Sequence, residues 1–228
     1  MKRYTMLLLL CLTATSCNTT EQQHAREMAD LNSTLTALGY DTVALPSTAF
    51  GPGSLVTIAK GTGFSLPLKL TYLCRPDFTH APPPIVDPAA TQTASRSLST
   101  SLSLDPGTLT KMGLGASLNY VDSVTLELTD VTVEQLALDD LHHIRSTLGP
   151  DCQAILTDFS SRSLAYQTQQ AIRADVTYSI QMKRGASAEA KGLVLKALLA
   201  AFGGSIQSNQ ELSASGKGLF YGLVLTKV

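Results

Sequence analysis

The sequence predicts an α+β protein, an antiparallel sheet with helices inserted between strand pairs. Three observations carry this: segments that alternate apolar and polar residues, segments whose apolar residues recur every three or four positions, and strands with one wet face. Parallel βαβ strands are buried on both faces and lose that alternation. Of 228 residues, 44% are hydrophobic and 15% charged, with a net charge of -1. A disordered chain would be poorer in apolar residues and more highly charged. An electrostatic nucleic-acid binder would carry a clustered basic excess, so no nucleic-acid partner is expected. With 6% aromatic residues and no Trp, the apolar area must come from Leu, Val, Ile and Ala. The length suits one domain, or at most two small ones.

The elements follow in chain order. Lys2 and Arg3 precede an apolar run over 6–14, and Ala14-Thr15-Ser16-Cys17 follows. A charged start, a short apolar stretch and small residues describe a secretory signal, too short to span a bilayer core of about 30 Å. The Cys directly after the small residues resembles a bacterial lipobox. Residues 1–16 are therefore expected to be a lipoprotein signal peptide, with Cys17 the lipid-attachment site (palmitate-type acylation) and new N-terminus. An ordinary secretory signal with an incidental Cys is the alternative. The first reading leaves a mature chain tethered in the cell envelope, and stable anchoring needs more than one acyl chain. Asn18 follows, and resemblance to known lipoproteins implies that a chain without Asp there goes to the outer membrane, if the cell has one, facing the periplasm.

Residues 17–39 read as a tether and an N-terminal helix, with Met28, Leu31, Leu35 and Leu38 on one face and Gly39 as its stop. Residues 40–228 then read as a single α+β domain. Strand, turn, strand is expected over 40–58, where Pro46, Pro52 and glycines interrupt apolar runs, and another strand over 67–73, ending at Cys74. Residues 75–94 hold five prolines, including Pro82, Pro83 and Pro84, and read as an exposed loop of polyproline character. Residues 95–104 alternate Leu or Thr with Ser, which predicts an amphipathic strand turned by Asp105-Pro106-Gly107.

Val124, Leu126 and Leu128 mark a further strand. Residues 130–134 lead into a helical stripe of Leu136, Leu138, Leu141, Ile144 and Leu148 that Gly149-Pro150 ends. A buried strand is expected over 152–156. From Ile172 to Met182 period two fits without exception, one face apolar and one polar. Residues 188–202 return to helical spacing before Gly203-Gly204, 205–215 is a polar Ser/Gln-rich run, and 218–228 is a final strand.

Chemistry-bearing motifs are scarce. The four His are His24, His80, His142 and His143, and the chain has no HExxH, GxSxG, Walker loop or dinucleotide fingerprint after a strand. Asp139 and His143 lie one helical turn apart, as two metal ligands would. Acids in a first helical turn and His in later turns also follow from the helix dipole, and that reading is preferred. Gly51-Pro52-Gly53 and Gly216-Lys217-Gly218 read as turns. No catalytic residue, cofactor or metal site is therefore assigned, and the chain is expected not to be an enzyme. With Cys11 in the signal and Cys17 at the anchor, Cys74 and Cys152 remain, either disulfide-bonded or as two buried thiols. Residues 122–158 hold eight acids against Arg145 alone, while from 184 onward five bases face two acids. That basic C-terminal part would suit anionic headgroups, or be a solvated surface.

The order of these residues is similar to that of the bacterial gasdermins. The resemblance rests on 35–46 (LTALGYDTVALP) and its continuation Pro52-Gly-Ser-Leu-Val56, with a Gly-Tyr pair, a Leu-Pro and then a Pro-containing strand. It continues through the acidic strand 124–131, the helix 136–148, residues 152–157, the amphipathic strand 172–182, Gly203-Gly204 and the strand 219–225. The resemblance implies a twisted antiparallel sheet with inserted helices, and a soluble form that becomes an oligomeric membrane pore through β-hairpins. Members of that family are cytosolic and carry a C-terminal inhibitory segment. This chain is expected to be exported, and it stops at Val228, immediately after the last matching strand 219–225. The function expected is a non-enzymatic, lipid-anchored envelope protein acting at or in a membrane as a gasdermin-like, homo-oligomeric pore former. The alternative is a binding or scaffold lipoprotein whose sheet or loop 75–94 engages another envelope protein or polymer.

Overall fold

The computed structural model describes residues 30–59, 67–104, 109–110, 115–202, 206–208 and 213–228. The expected signal, Cys17, His24 and Met28 lie outside them, as do the turn 105–107 and Gly203-Gly204.

The sheet is built on Tyr166–Met182 (β7), which pairs antiparallel with Val121–Gln135 (β6) on one side and Ser213–Lys227 (β9) on the other. β9 also pairs with Asp41–Ser47 (β1), and β7 with Leu55–Ile58 (β2), which carries Leu70–Cys74 (β3) at its edge. Two short strands, Ile85–Val86 (β4) and Leu102–Ser103 (β5), extend β6, and Ile206–Ser208 (β8) pairs with β9. All of these pairings are antiparallel, so the molecule is α+β, as its one-sided strands predict.

Register separates the two faces of this sheet. Leu126, Tyr178 and Ala214 oppose one another across β6, β7 and β9, as do Val133, Ile172 and Gly222. Their side belongs to the main core, which also takes in Leu31 and Leu35 of Leu31–Ala37 (α1), Ala94 of Pro88–Ser97 (α2) and Val194 of Ala188–Phe202 (α5). Helices thus back this face. On the opposite face, Val43, Phe50, Val56, Tyr166, Ala171, Phe220 and Leu223 form a smaller core at one end. Towards the other end the same face carries Thr125, Thr177 and Ser179, with Thr177 and Ser179 exposed.

α1 begins where the Asp30 carboxylate accepts from Ser33 N–H at 2.9 Å, and it ends at Gly39, whose φ of 87° suits a residue without a Cβ. Four expected elements differ. Residues 95–104 are not a strand: α2 runs to Ser97, and only Leu102–Ser103 is extended. Asp87 caps α2 by accepting from Ala90 N–H, and Pro88 occupies the first turn, where its missing N–H costs no hydrogen bond. The exposed Pro-rich loop therefore spans only 75–84. The buried Ala94 and Leu98 are one helical turn apart, a spacing that period two also contains.

Residues 152–156 belong to Pro150–Ser161 (α4), so Pro150 starts a second helix as well as following the first, and no residue of α4 is fully buried. The third correction concerns 130–134, which stays in β6 to Gln135; the helix expected from 136 begins later, as Leu138–Ser146 (α3). The fourth is the polar run 205–215, where β8 pairs with the start of β9.

Cys74 and Cys152 are joined by a disulfide, with Cα atoms 6.0 Å apart across a sequence separation of 78. It fastens the end of β3 to the first turn of α4 beside Leu55 and Leu148.

Candidate functional site

Halfway along β7 the regular ladder breaks at one level on both sides, towards β6 and towards β9. Thr129 opposes Asp175 and Thr132 opposes Arg173, which leaves Asp130 and Val131 across from Ala174. On the other side Ala174 opposes Leu219 and Val176 opposes Gly216, so Asp175 faces Lys217 and Gly218 together. Bulges of this kind bend a strand and re-aim its side chains. Asp130 takes a φ of 50° and Gly218 one of 60°. For Asp this left-handed conformation is accessible but uncommon, and such outliers gather at functional sites.

The bend opens a cleft of about 590 Å³ on the face opposite the α-helices, lined by Thr48, Asp130, Thr132, Arg173, Asp175, Lys217, Gly218 and Phe220 among others. Its charged groups are held from the backbone outward. Gly218 N–H donates to Asp175 Oδ1 at 2.7 Å, which pins that carboxylate across the bulge. Arg173 Nη1 donates to Glu134 Oε1 at 3.0 Å, in a pair whose Arg side chain is 50% exposed. A Cβ at position 218 would come within 3.1 Å of both Nε and Nη2 of Arg173. Glycine there serves both the turn and the guanidinium lying against it.

Phe220 separates this cleft from a second, of about 610 Å³, whose lining includes Tyr72, Arg75, Pro76, Phe78, Pro84 and Glu134. The Pro-rich loop is one wall of it. Two contacts hold that loop: His143 of α3 hydrogen-bonds through Nε2 to the His80 carbonyl at 2.7 Å, and Asp77 accepts from Thr79 N–H at 2.8 Å. The hydrogen bonds from Thr79 hold the exposed Asp77 carboxyl below its usual range. Behind the loop, Arg145 donates to Gln167 Oε1, and the buried Gln167 amide donates to the Gly53 carbonyl at 3.1 Å. Burial lowers the Arg145 pKa.

His143, weighed as a ligand with Asp139, is thus bonded to the His80 carbonyl, and its neighbour His142 meets Arg145 Nη2 through Nδ1 at 2.6 Å. Among the described residues no group of three or more His, Cys, Asp or Glu could hold a metal ion. Among those residues, too, no helix is long and apolar enough to cross a membrane. The cleft residues Asp130, Arg173 and Asp175 went unassigned in sequence, and Lys217 and Gly218 read only as a turn. The available signal was the break in alternation, where Asp130 interrupts the series Leu126, Leu128 and then Val133, and Gly-Lys-Gly interrupts β9.

A helix-backed antiparallel sheet with a bulged, charged cleft on its open face is therefore the class of protein that the fold defines. Among solved structures, the chain is similar to that of a bacterial gasdermin from Bradyrhizobium tropiciagri, at 16% identity over 89% of this chain and 88% of that one, with a TM-score of 0.36. No protein-family model and no curated protein sequence matches.

Proposed function

We propose that this is a non-enzymatic, lipid-anchored protein of the cell envelope, held through acylated Cys17 at the outer membrane and facing the periplasm, which forms gasdermin-like homo-oligomeric pores. The observation that carries the membrane action is the trio β6, β7 and β9, of 15, 17 and 15 residues. Each exceeds the roughly 9–11 residues a membrane-crossing strand needs. From Ile172 to Met182, β7 has one apolar side and one of Arg, Asp, Thr, Ser and Gln, the division that separates lipid from lumen in a barrel. The apolar side is packed under α1, α2 and α5, so pore formation requires those helices to leave it. Anchoring rests on the lipobox-like residues, and replacing Cys17 with Ser should release the protein from membranes. Added to dye-loaded liposomes, the mature chain should release the dye. Intact vesicles at micromolar protein, in both anionic and neutral lipid, would overturn the pore.

One observation favours a second reading, an envelope scaffold that engages another protein or polymer. The second cleft is walled by the Pro-rich loop with Tyr72 and Phe78, a combination of rings and prolines suited to extended chains. Capture from membranes should then recover one stoichiometric partner, lost when 76–84 is deleted.

A further inference from the structure

The cleft at the two aligned bulges holds two cations, Arg173 and Lys217, and two carboxylates, Asp130 and Asp175. Among the described residues, neither Lys217 nor Asp130 has an ion-pair partner, and both are exposed. Arg173 gives Nη1 to Glu134, and a guanidinium has five donors, so donors remain for a ligand beside Lys217. Gly218 N–H fixes one oxygen of Asp175. A simple anion would meet two positive and two negative groups, with no net attraction. A molecule carrying both signs meets each with its complement. Arg173 opposes Phe220 in register and both line the cleft, so its wall offers an apolar ring for a short linker. About 590 Å³ is ample for such a molecule.

We infer that this cleft binds a small zwitterionic amino-phosphate, its phosphate on Arg173 and Lys217 and its ammonium on Asp130 and Asp175. A forked guanidinium with an adjacent ammonium matches phosphate geometry, and a pair of carboxylates matches a primary ammonium. Phosphoethanolamine is the simplest ligand of this class, available as a free molecule or as a phospholipid headgroup. The left-handed Asp130 is what the site gains from its bulge: the strand kinks so that a carboxylate is presented where strand geometry alone would continue the ladder.

The test titrates the mature protein with phosphoethanolamine, inorganic phosphate and ethanolamine, followed by calorimetry. Phosphoethanolamine should bind at least about tenfold tighter than either fragment, because both charge pairs form only with the whole molecule. Lys217→Gln and Asp130→Asn should each weaken it about tenfold at unchanged melting temperature, since both side chains are exposed. Equal affinity for inorganic phosphate, no binding of any probe, or binding indifferent to both substitutions would overturn the assignment. Sedimentation with phosphatidylcholine vesicles, with and without phosphatidylethanolamine, then separates the sources. Extra capture by the latter assigns a lipid headgroup, and equal capture with soluble binding intact assigns a free amino-phosphate. The titration needs no bilayer, so it can fail while dye release succeeds, and the reverse.

Discussion

Among the described residues Tyr178 and Tyr221 are the bulkiest fully buried side chains, and their hydroxyls meet 3.1 Å apart inside the main core. Burial raises both phenol pKa values above the ordinary 10.0, with their mutual hydrogen bond opposing the shift at Tyr178. A phenol becomes charged when it loses its proton, so the folded protein keeps two protons that the unfolded chain gives up near pH 10. The contribution is fully present below that pH and is lost as pH rises through it. Chemical denaturation should therefore show stability falling above about pH 10, and Tyr221→Phe should reduce that alkaline loss. An unchanged slope in the variant would mean that the phenols do not cause it. The burial of Tyr178 is plain in the sequence, because it sits in the strict alternation from Ile172 to Met182. The partnership with Tyr221 is not, since 43 residues separate them and only the β7–β9 register brings them together.

Strands were more legible than helices. Period two identifies β7 because it persists for a dozen residues, whereas the Ser-rich stretch after Ala94 satisfies period two while also placing Ala94 and Leu98 one helical turn apart. What decides is the start signal, Asp87-Pro88, which the surrounding prolines disguise as loop. Asp87→Ala should then cost α2 about 0.5–2 kcal/mol, read as a lower melting temperature, with Asp87→Asn largely restoring it. For α4 the ambiguity has another source: an apolar run of three, Ala154 to Leu156, has no period at all. Because no α4 residue is fully buried, the disulfide is its principal attachment to the sheet. On the chain-entropy model a 78-residue separation corresponds to about 4.5 kcal/mol. Replacing Cys152 with Ser should lower the melting temperature and raise hydrogen exchange in 150–161 well before the central strands respond. Simultaneous loss of protection in both would show α4 to be integral to the core.

At the scale of the whole molecule, two bulges at one level, in β6 and β9, split the face opposite the α-helices into an apolar end around Phe50 and Leu223, a charged cleft, and a Ser/Thr end. That division was illegible in the sequence for a geometric reason: each bulge is a local irregularity, and their alignment exists only once β6, β7 and β9 are in register. It also gives the pore proposal its sharpest test. If the helix-backed side turns to lipid, Thr177 and Ser179 must line the aqueous lumen, because they lie on the other side of the same strand. Both are exposed in the folded protein, so Lys at either position should change its stability by no more than about 0.5 kcal/mol. Thr177 lies opposite Glu127, which supplies a counter-charge for a new Lys. In planar bilayers Thr177→Lys with Ser179→Lys should move the reversal potential under a salt gradient towards anion preference, as lumen-facing charges do in barrels. The same substitutions on a lipid-facing side would each cost about 2–4 kcal/mol near the midplane and abolish conductance instead. Loss of conductance with normal folding would therefore reverse the assignment of the two faces.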